Sequence, residues 1–162
     1  MIKLKYLLHI CLYLLLAKVS AQKAEVIKLP HLQQLLSSNT DTTYVLNFMA
    51  TWCKPCMEEL PHFEKVSAEN HQQKVKFIYI SLDAASDLDK KLNKLIERKN
   101  IKNKVYLLDE PDYNSWLDKI EKSWDGVIPV TFVVNNAKNI RLFIPKPFTY
   151  EELAALVKQN TF

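Results

Sequence analysis

Apolar residues follow two patterns along this chain, one typical of buried strands and the other of amphipathic helices. Short runs that are apolar at almost every position predict strands covered on both faces. Apolar residues three or four apart, as at Leu88, Leu92, Leu95 and Ile96, predict helices. The predicted strands cover residues 24–29, 43–50, 75–82, 105–108, 130–134 and 139–144. The predicted helices cover residues 31–37, 55–70 and 113–122, with two more opened by residues 86–89 and 149–152.

The order of these elements predicts an α/β fold. Strands and helices alternate, and the chain finishes with a hairpin at residues 135–138 and a last helix. This order favours a mostly parallel central sheet with an antiparallel edge and helices on both faces. Pro61 lies inside the predicted helix 55–70 and is expected to interrupt and kink it. The chain's single glycine, Gly126, excludes a glycine-rich phosphate loop.

The N-terminus has the pattern of a secretory signal. Two lysines, Lys3 and Lys5, precede an apolar stretch over residues 6–17, and Val19-Ser20-Ala21 supplies small residues for cleavage. A membrane anchor is the alternative, but spanning needs about 20 apolar residues. We therefore expect residues 1–21 to be a signal peptide, removed together with Cys11, and residues 22–162 to form one domain outside the cytoplasm, periplasmic or otherwise secreted.

Removal of the signal peptide changes the charge balance. The formal net charge of the whole chain is +4. Three lysines and no acidic residue lie in residues 1–21, so the remainder carries +1. The basic character is therefore a property of the targeting segment, and no nucleic-acid partner is expected.

The segment Trp52-Cys53-Lys54-Pro55-Cys56 follows a predicted strand and opens a predicted helix. The free amides of a helix N-terminus stabilise a thiolate, and a second thiol one turn later can close a disulfide. A structural disulfide is the alternative, although so small a loop constrains the unfolded chain little. Zinc would need further ligands, and c-type haem attachment would need histidine where Met57 stands. No metal or cofactor is expected.

Two segments carry a resemblance to a known family. Residues 45–61, VLNFMATWCKPCMEELP, and residues 126–132, GVIPVTF, resemble the thioredoxin-like proteins of the TlpA/ResA type, which are extracytoplasmic bacterial thiol–disulfide oxidoreductases. The resemblance covers roughly residues 25–160. It implies a thioredoxin-like fold with an extra helix and strand between Asp83 and Pro129, and a cis proline at Pro129 beside the cysteines. Val130 departs from the family, which often has threonine there.

The motif gives its two cysteines separate roles. Cys53, at the helix edge, is the expected nucleophile, and Cys56 is the expected resolving thiol. Glu59 lies three residues beyond Cys56 on the same helical face, where a partly buried carboxyl could carry the proton of that thiol. The resemblance also implies a glutamate there, although a surface glutamate is the alternative. Asn47 stands where thioredoxin has a buried aspartate, and we expect backbone groups to satisfy its amide.

Four further positions are candidates for contact with a protein substrate. Trp52 is expected to shield the disulfide and line the docking surface, and Pro55 to set the helix start. By the resemblance, cis geometry at Pro129 would leave the Ile128 backbone free to pair with an extended substrate segment. Lys54 is expected either to favour the thiolate or to be merely solvated. Trp116 and Trp124 are expected in the core.

These features predict a thiol–disulfide oxidoreductase that reduces or exchanges disulfides of extracytoplasmic proteins through Cys53 and Cys56. Cytochrome c maturation, disulfide repair and service to a neighbouring enzyme remain open as tasks. We expect a monomer, with disulfide-containing extracytoplasmic proteins and a membrane electron donor as partners. The alternatives are a non-catalytic thioredoxin-fold binding module with a structural disulfide and a thiol peroxidase, although the paired cysteines argue against the latter.

Overall fold

The computed structural model describes residues 22–71 and 74–161, and six strands form one sheet within them. The strands are β1 (Glu25–Ile27), β2 (Thr43–Met49), β3 (Val75–Ser81), β4 (Lys104–Leu108), β5 (Val130–Asn135) and β6 (Ile140–Ile144). The α-helices are α1 (Leu29–Leu36), α2 (Lys54–Glu69), α3 (Asn93–Lys99), α4 (Leu117–Ile120) and α5 (Tyr150–Thr161). Each predicted strand is present, within two residues of its predicted bounds.

The sheet is mixed, as predicted, with the order β1-β4-β3-β2-β5-β6. The first four strands in that order run parallel, and β5 and β6 form the antiparallel edge. Strand β2 is central, and its Asn47 pairs in register with Tyr79 of β3 and Thr131 of β5. The segment after β2 therefore begins at the centre of the sheet, at the end where the parallel strands finish.

Helices cover both faces of the sheet, which confirms the predicted layers. One core cluster joins the sheet to α2, α3 and α5, and includes Phe63, Leu95 and Leu153. The cluster on the opposite face joins it to α1 and α4, and includes Leu32 and Leu117. Strand β2 contributes to both, which explains why its sequence is apolar at nearly every position.

Helix α2 continues through Pro61, so the interruption predicted there is wrong. A proline inside a helix removes one backbone hydrogen bond. Leu60 and Phe63 on either side of it are 4% and 1% exposed, and this burial stabilises the helix despite that loss.

Two other predicted helices are divided into shorter segments. The residues from Ala85 to Lys99 form a 3₁₀ turn, a π-helical turn over Leu88–Leu92 and then α3. A 3₁₀ turn and α4 replace the helix predicted over residues 113–122. Trp116 separates them with φ of −137°, outside the helical region, while its side chain is 1% exposed and its Nε1 donates to the Glu110 carbonyl at 3.1 Å. Tertiary packing of Trp116 has overridden the local helical pattern.

The expected signal peptide, residues 1–21 with Cys11, lies outside the described residues. Among the helices that the structure does describe, none is long and apolar enough to cross a membrane.

Candidate active site

The segment of residues 52–56, which contains both cysteines, lies between the end of β2 and the first turn of α2. Cys53 caps the helix N-terminus, and its Sγ accepts a hydrogen bond from the Cys56 backbone N–H at 3.3 Å. The preceding Thr51 is anchored by Asp83, whose carboxylate accepts from the Thr51 backbone N–H at 3.0 Å and from its hydroxyl at 2.6 Å. A buried side chain at the end of β3 thus fixes the loop that carries the first cysteine.

Cys53 and Cys56 form a disulfide, with an S–S distance of 2.00 Å and a Cα–Cα distance of 5.3 Å. Cys53 is 5% exposed and Cys56 1% exposed, so the first cysteine is the more accessible residue of the pair. The N–H group at Cys53 Sγ and the positive end of the α2 dipole both stabilise negative charge on that sulfur when the bond is reduced.

A loop distant in sequence packs against the first cysteine. Gly126 has φ of +88°, in the left-handed region that favours glycine, and the Ile128–Pro129 peptide bond is cis. The Ile128 carbonyl oxygen lies 3.8 Å from Cys53 Sγ, and Pro129 is buried. The buried side chain of Trp124 anchors this loop, because its Nε1 donates to the Val127 carbonyl at 2.9 Å.

Glu59 is buried on the second turn of α2, with 2% of its surface exposed. Its Oε1 accepts from Asn47 Nδ2 at 2.8 Å, and its Oε2 accepts from the Phe148 backbone N–H at 2.8 Å. Burial raises the pKa of the Glu59 carboxyl, while the hydrogen bonds from Phe148 and Asn47 act in the opposite direction. The surface-glutamate alternative is therefore wrong for Glu59, whereas its neighbour Glu58 is exposed.

Asn47 corrects one sequence-based expectation. Its amide donates to Glu59 Oε1 at 2.8 Å and to Thr131 Oγ1 at 3.2 Å, so side chains satisfy it and the predicted backbone partners are wrong. The amide joins β2 to α2 and β5 in one buried polar network. A buried group of this kind needs such partners, since leaving it unpaired would cost about 1–3 kcal/mol.

The outer surface of the site is aromatic. Trp52 is 65% exposed and lines a cavity of about 320 Å³ together with Tyr113 and Pro111. Pro55 is also exposed, next to the disulfide in sequence. Lys54 extends towards Glu58, with 3.8 Å between Nζ and Oε1, and 87% of its side chain is accessible to solvent. Trp116 and Trp124 are buried, as predicted.

The sequence did not single out the anchoring groups of the site. In the sequence analysis Asp83 only marks one end of the insert that the resemblance implies, and the backbone N–H of Phe148 carries no sequence signal at all. A polar residue two positions after a buried strand, as Asp83 is, could have been recognised as a candidate for holding the adjacent loop.

The described part of the chain contains no group of three or more His, Cys, Asp and Glu side chains placed to hold a metal ion. The polar atoms assembled around the disulfide are instead engaged with one another, as the Thr51–Asp83 and Asn47–Glu59 pairs show.

A central mixed sheet, a C-x-x-C pair capping a helix and a cis-proline loop beside it together define a thioredoxin-like protein. The family model described as "AhpC/TSA family" matches residues 20–143, and the chain belongs to that family.

Individual relatives agree with this assignment. The chain is 44% identical over 39 residues to the thiol-disulfide oxidoreductase ResA of Oceanobacillus iheyensis, a match that covers 24% of this chain and 20% of the relative. It is 38% identical over 48 residues to the thioredoxin-like protein YneN of Bacillus subtilis, covering 30% of this chain and 28% of the relative. The resemblance to TlpA/ResA-type proteins is thereby confirmed. The matches span about a fifth to a half of the length of the curated relatives.

Solved structures match over a larger share of the chain. A thiol:disulfide interchange protein of the thioredoxin family from Chlorobium tepidum has a TM-score of 0.60 and 25% identity, covering 75% of this chain and 81% of the other. A secreted Mycobacterium tuberculosis disulfide oxidoreductase has a TM-score of 0.56 and 22% identity, covering 75% and 84% respectively. These similarities confirm the predicted thioredoxin-like fold.

Proposed function

We propose that this protein is a thiol–disulfide oxidoreductase that reduces or exchanges disulfides in extracytoplasmic proteins through Cys53 and Cys56. The observation that carries the proposal is the setting of Cys53 Sγ. It receives the Cys56 N–H at the start of α2, lies 3.8 Å from the Ile128 carbonyl and is flanked by the exposed Trp52. A sulfur in this setting is stabilised as a thiolate and is adjacent to a surface on which a polypeptide can dock.

The reaction follows from the two positions. The Cys53 thiolate attacks one sulfur of the substrate disulfide, forms a mixed disulfide and releases the other substrate sulfur as a thiolate. Cys56, in its thiolate form, then attacks Cys53 Sγ and releases the second substrate thiol. The product is the Cys53–Cys56 disulfide that the structure contains. A membrane electron donor would return the pair to the dithiol state.

Glu59 is the proposed proton carrier for Cys56. Its carboxyl lies one helical turn beyond that cysteine and is shielded from bulk water. Burial raises its pKa, so the group can accept and release a proton more readily near neutral pH than an exposed glutamate can.

Substrate contact is assigned to the residues around the first sulfur. Trp52 and Pro55 present exposed apolar surface, and the Ile128 carbonyl beside Cys53 can accept a hydrogen bond from an extended substrate segment. Pro129, buried after it, holds that carbonyl in place and has no N–H of its own.

The location is proposed from the N-terminal sequence. Residues 1–21 have the composition of a signal peptide, which would place the domain of residues 22–162 in the periplasm or another extracytoplasmic compartment. A secreted disulfide oxidoreductase among the similar structures supports this location. We propose that the mature protein acts as a monomer.

Insulin reduction by dithiothreitol tests the proposal. The wild-type protein should accelerate insulin precipitation, and a Cys53→Ser variant should not exceed the uncatalysed rate. Equal rates for the two proteins would indicate a binding module with a structural disulfide. Peroxide consumption with the same reductant should stay at the level of the Cys53→Ser variant, since faster consumption would indicate a thiol peroxidase.

A further inference from the structure

Four cationic side chains line one cavity beside the active-site loop. The cavity has a volume of about 270 Å³, and its lining residues are Thr51, Lys90, Lys91, Lys94, Leu95 and Arg98. The cations come from the π-helical turn and α3, in the segment between β3 and β4. Thr51 belongs to the loop that carries Cys53.

Most of this positive charge has no acidic partner in contact with it. Lys91 pairs with Asp87, with 2.9 Å between Nζ and Oδ2. Among the ion pairs of the described residues, none involves Lys90, Lys94 or Arg98, and all three are exposed. Three cations without an ion-pair partner therefore lie together in a domain whose formal net charge is only +1 once residues 1–21 are removed.

Among the nearby carboxylates of the described residues, only Asp87 forms an ion pair with one of these cations. Asp89 accepts a hydrogen bond from Asn93 Nδ2 at 2.7 Å, and Asp83 is occupied by Thr51 and Ser81. Glu97 lies on the same helix but outside the cavity lining. The cavity therefore presents a positive surface to any chain that docks at the disulfide.

The distance from the reactive sulfur suits a segment of substrate. Thr51 is two residues before Cys53, which is at most about 7 Å of backbone. A substrate chain bound to Cys53 through its own cysteine advances about 3.3–3.6 Å per residue when extended. If an extended substrate runs from Cys53 towards Thr51, its residues two to four positions from the cysteine lie at the distance of the cavity.

We propose that this cavity is a recognition subsite for carboxylate side chains that flank the disulfide of the substrate protein. The inference rests on the proposed function and names its preferred substrates, which are proteins with Asp or Glu close to the target cysteine. Arg98 can bind a carboxylate through two N–H groups, and Lys90 and Lys94 act as point charges around it.

The test uses four peptides that share one internal disulfide. Three carry Glu, Gln or Lys at positions two to four from the disulfide on both sides, and the fourth carries the same glutamates at the far end of a Gly-Ser linker. At 50 mM salt we expect kcat/KM for the Glu-flanked peptide to exceed that for the Gln-flanked one about tenfold, and the Lys-flanked one to be poorest. The preference should fall to about twofold at 0.5 M salt, because screening shortens the reach of the charges.

Two triple variants with the same loss of charge separate the cavity from the general field of the protein. Lys90→Gln/Lys94→Gln/Arg98→Gln should abolish the preference for flanking glutamates. Lys119→Gln/Lys122→Gln/Lys158→Gln, at exposed positions outside the cavity lining, should retain it. Equal loss in both variants, or equal kcat/KM for the near and distant glutamate peptides, would overturn the subsite.

Binding is measured in parallel by fluorescence anisotropy, with labelled peptides in which serine replaces both cysteines. The subsite predicts tighter binding of the Glu-flanked peptide to the wild type and no such preference in the first triple variant. If no peptide is reduced but this preference is present, the proposed function fails, and the cavity binds acidic peptides without serving disulfide reduction. If all peptides are reduced and bound equally, the subsite fails and the proposed function stands.

Discussion

Asn47 Nδ2 donates a hydrogen bond to Glu59 Oε1 at 2.8 Å, and this contact joins the central strand to the helix that Cys53 caps and that contains Cys56. The other carboxylate oxygen of Glu59 accepts from the backbone of Phe148, just before α5. One buried carboxyl therefore connects β2, α2 and the segment that leads to the last helix. Its protonation state is linked to the packing of these three elements and, in the proposed mechanism, to the dithiol.

Replacement of Glu59 by Gln should shift the pH dependence of thiol reactivity. Loss of an ionised carboxylate near the sulfurs makes a thiolate easier to form, so the alkylation profile of the reduced protein should move to lower pH by about 0.5–1 unit. Iodoacetamide alkylation rates across pH 5–10 measure this. Glu58→Gln removes a charge from the adjacent, exposed position and should leave the profile unchanged. An unshifted profile in Glu59→Gln would remove Glu59 from the mechanism.

The pH dependence of stability should also report Glu59. Burial raises its pKa in the folded protein above the ordinary glutamate value of 4.5. The protonated form therefore favours folding, and this contribution is complete below pH 4.5 and is lost as pH rises through the raised pKa. The free energy of unfolding of the oxidised wild type, relative to oxidised Glu59→Gln, should decrease over that interval. Urea unfolding at a series of pH values measures the difference, and a constant difference would contradict the assigned shift.

Trp52→Ala should impair catalysis while leaving the fold intact. Trp52 is 65% exposed, so its removal should change the free energy of unfolding by no more than about 0.5 kcal/mol. If it lines the docking surface, kcat/KM for insulin should fall about threefold to tenfold. Val26→Ala, at an exposed position on β1, serves as the control. Unchanged kcat/KM in Trp52→Ala would exclude the indole from substrate contact.

Trp124→Phe should destabilise the protein, since Trp124 is 3% exposed and packs edge-on against Phe48 with 4.8 Å between ring centroids. The substitution leaves a cavity and removes the hydrogen bond to the Val127 carbonyl, at a combined cost of about 1–3 kcal/mol. Chemical denaturation gives the free energy of unfolding. Trp52→Phe makes the same replacement at an exposed position and should be near neutral, so equal effects would refute the supporting role of Trp124.

The apolar pattern predicted the sheet because burial on both faces leaves a strong signal in short runs such as residues 75–82. The helix placed after Pro55 was also predicted, because cysteines and proline mark its start. The division of residues 85–99 into three helical segments was not predicted, since segments of three, five and seven residues are too short for their apolar spacing to distinguish the helix types. The interruption predicted at Pro61 is wrong because local helix propensity does not include the stabilisation from burial of Leu60 and Phe63.

Within the site, the spacing of Cys53, Cys56 and Glu59 along one helix face was sufficient to propose them together. The partner of Asn47 could not be predicted in the same way. It depends on how α2 packs across β2, and the two residues are twelve positions apart. The cationic cavity depends likewise on the approach of α3 to Thr51, which no local pattern records.

Trapping of mixed disulfides tests most directly whether Cys53 is the nucleophile and Cys56 the resolving thiol. A reduced Cys56→Ser variant, incubated with a disulfide-containing protein, should accumulate a covalent adduct through Cys53 that dithiothreitol releases and mass spectrometry locates. The matched Cys53→Ser variant should accumulate almost none, because Cys56 is 1% exposed. Equal adducts on both variants, or none on either, would contradict the assignment of Cys53 as nucleophile and Cys56 as resolving thiol.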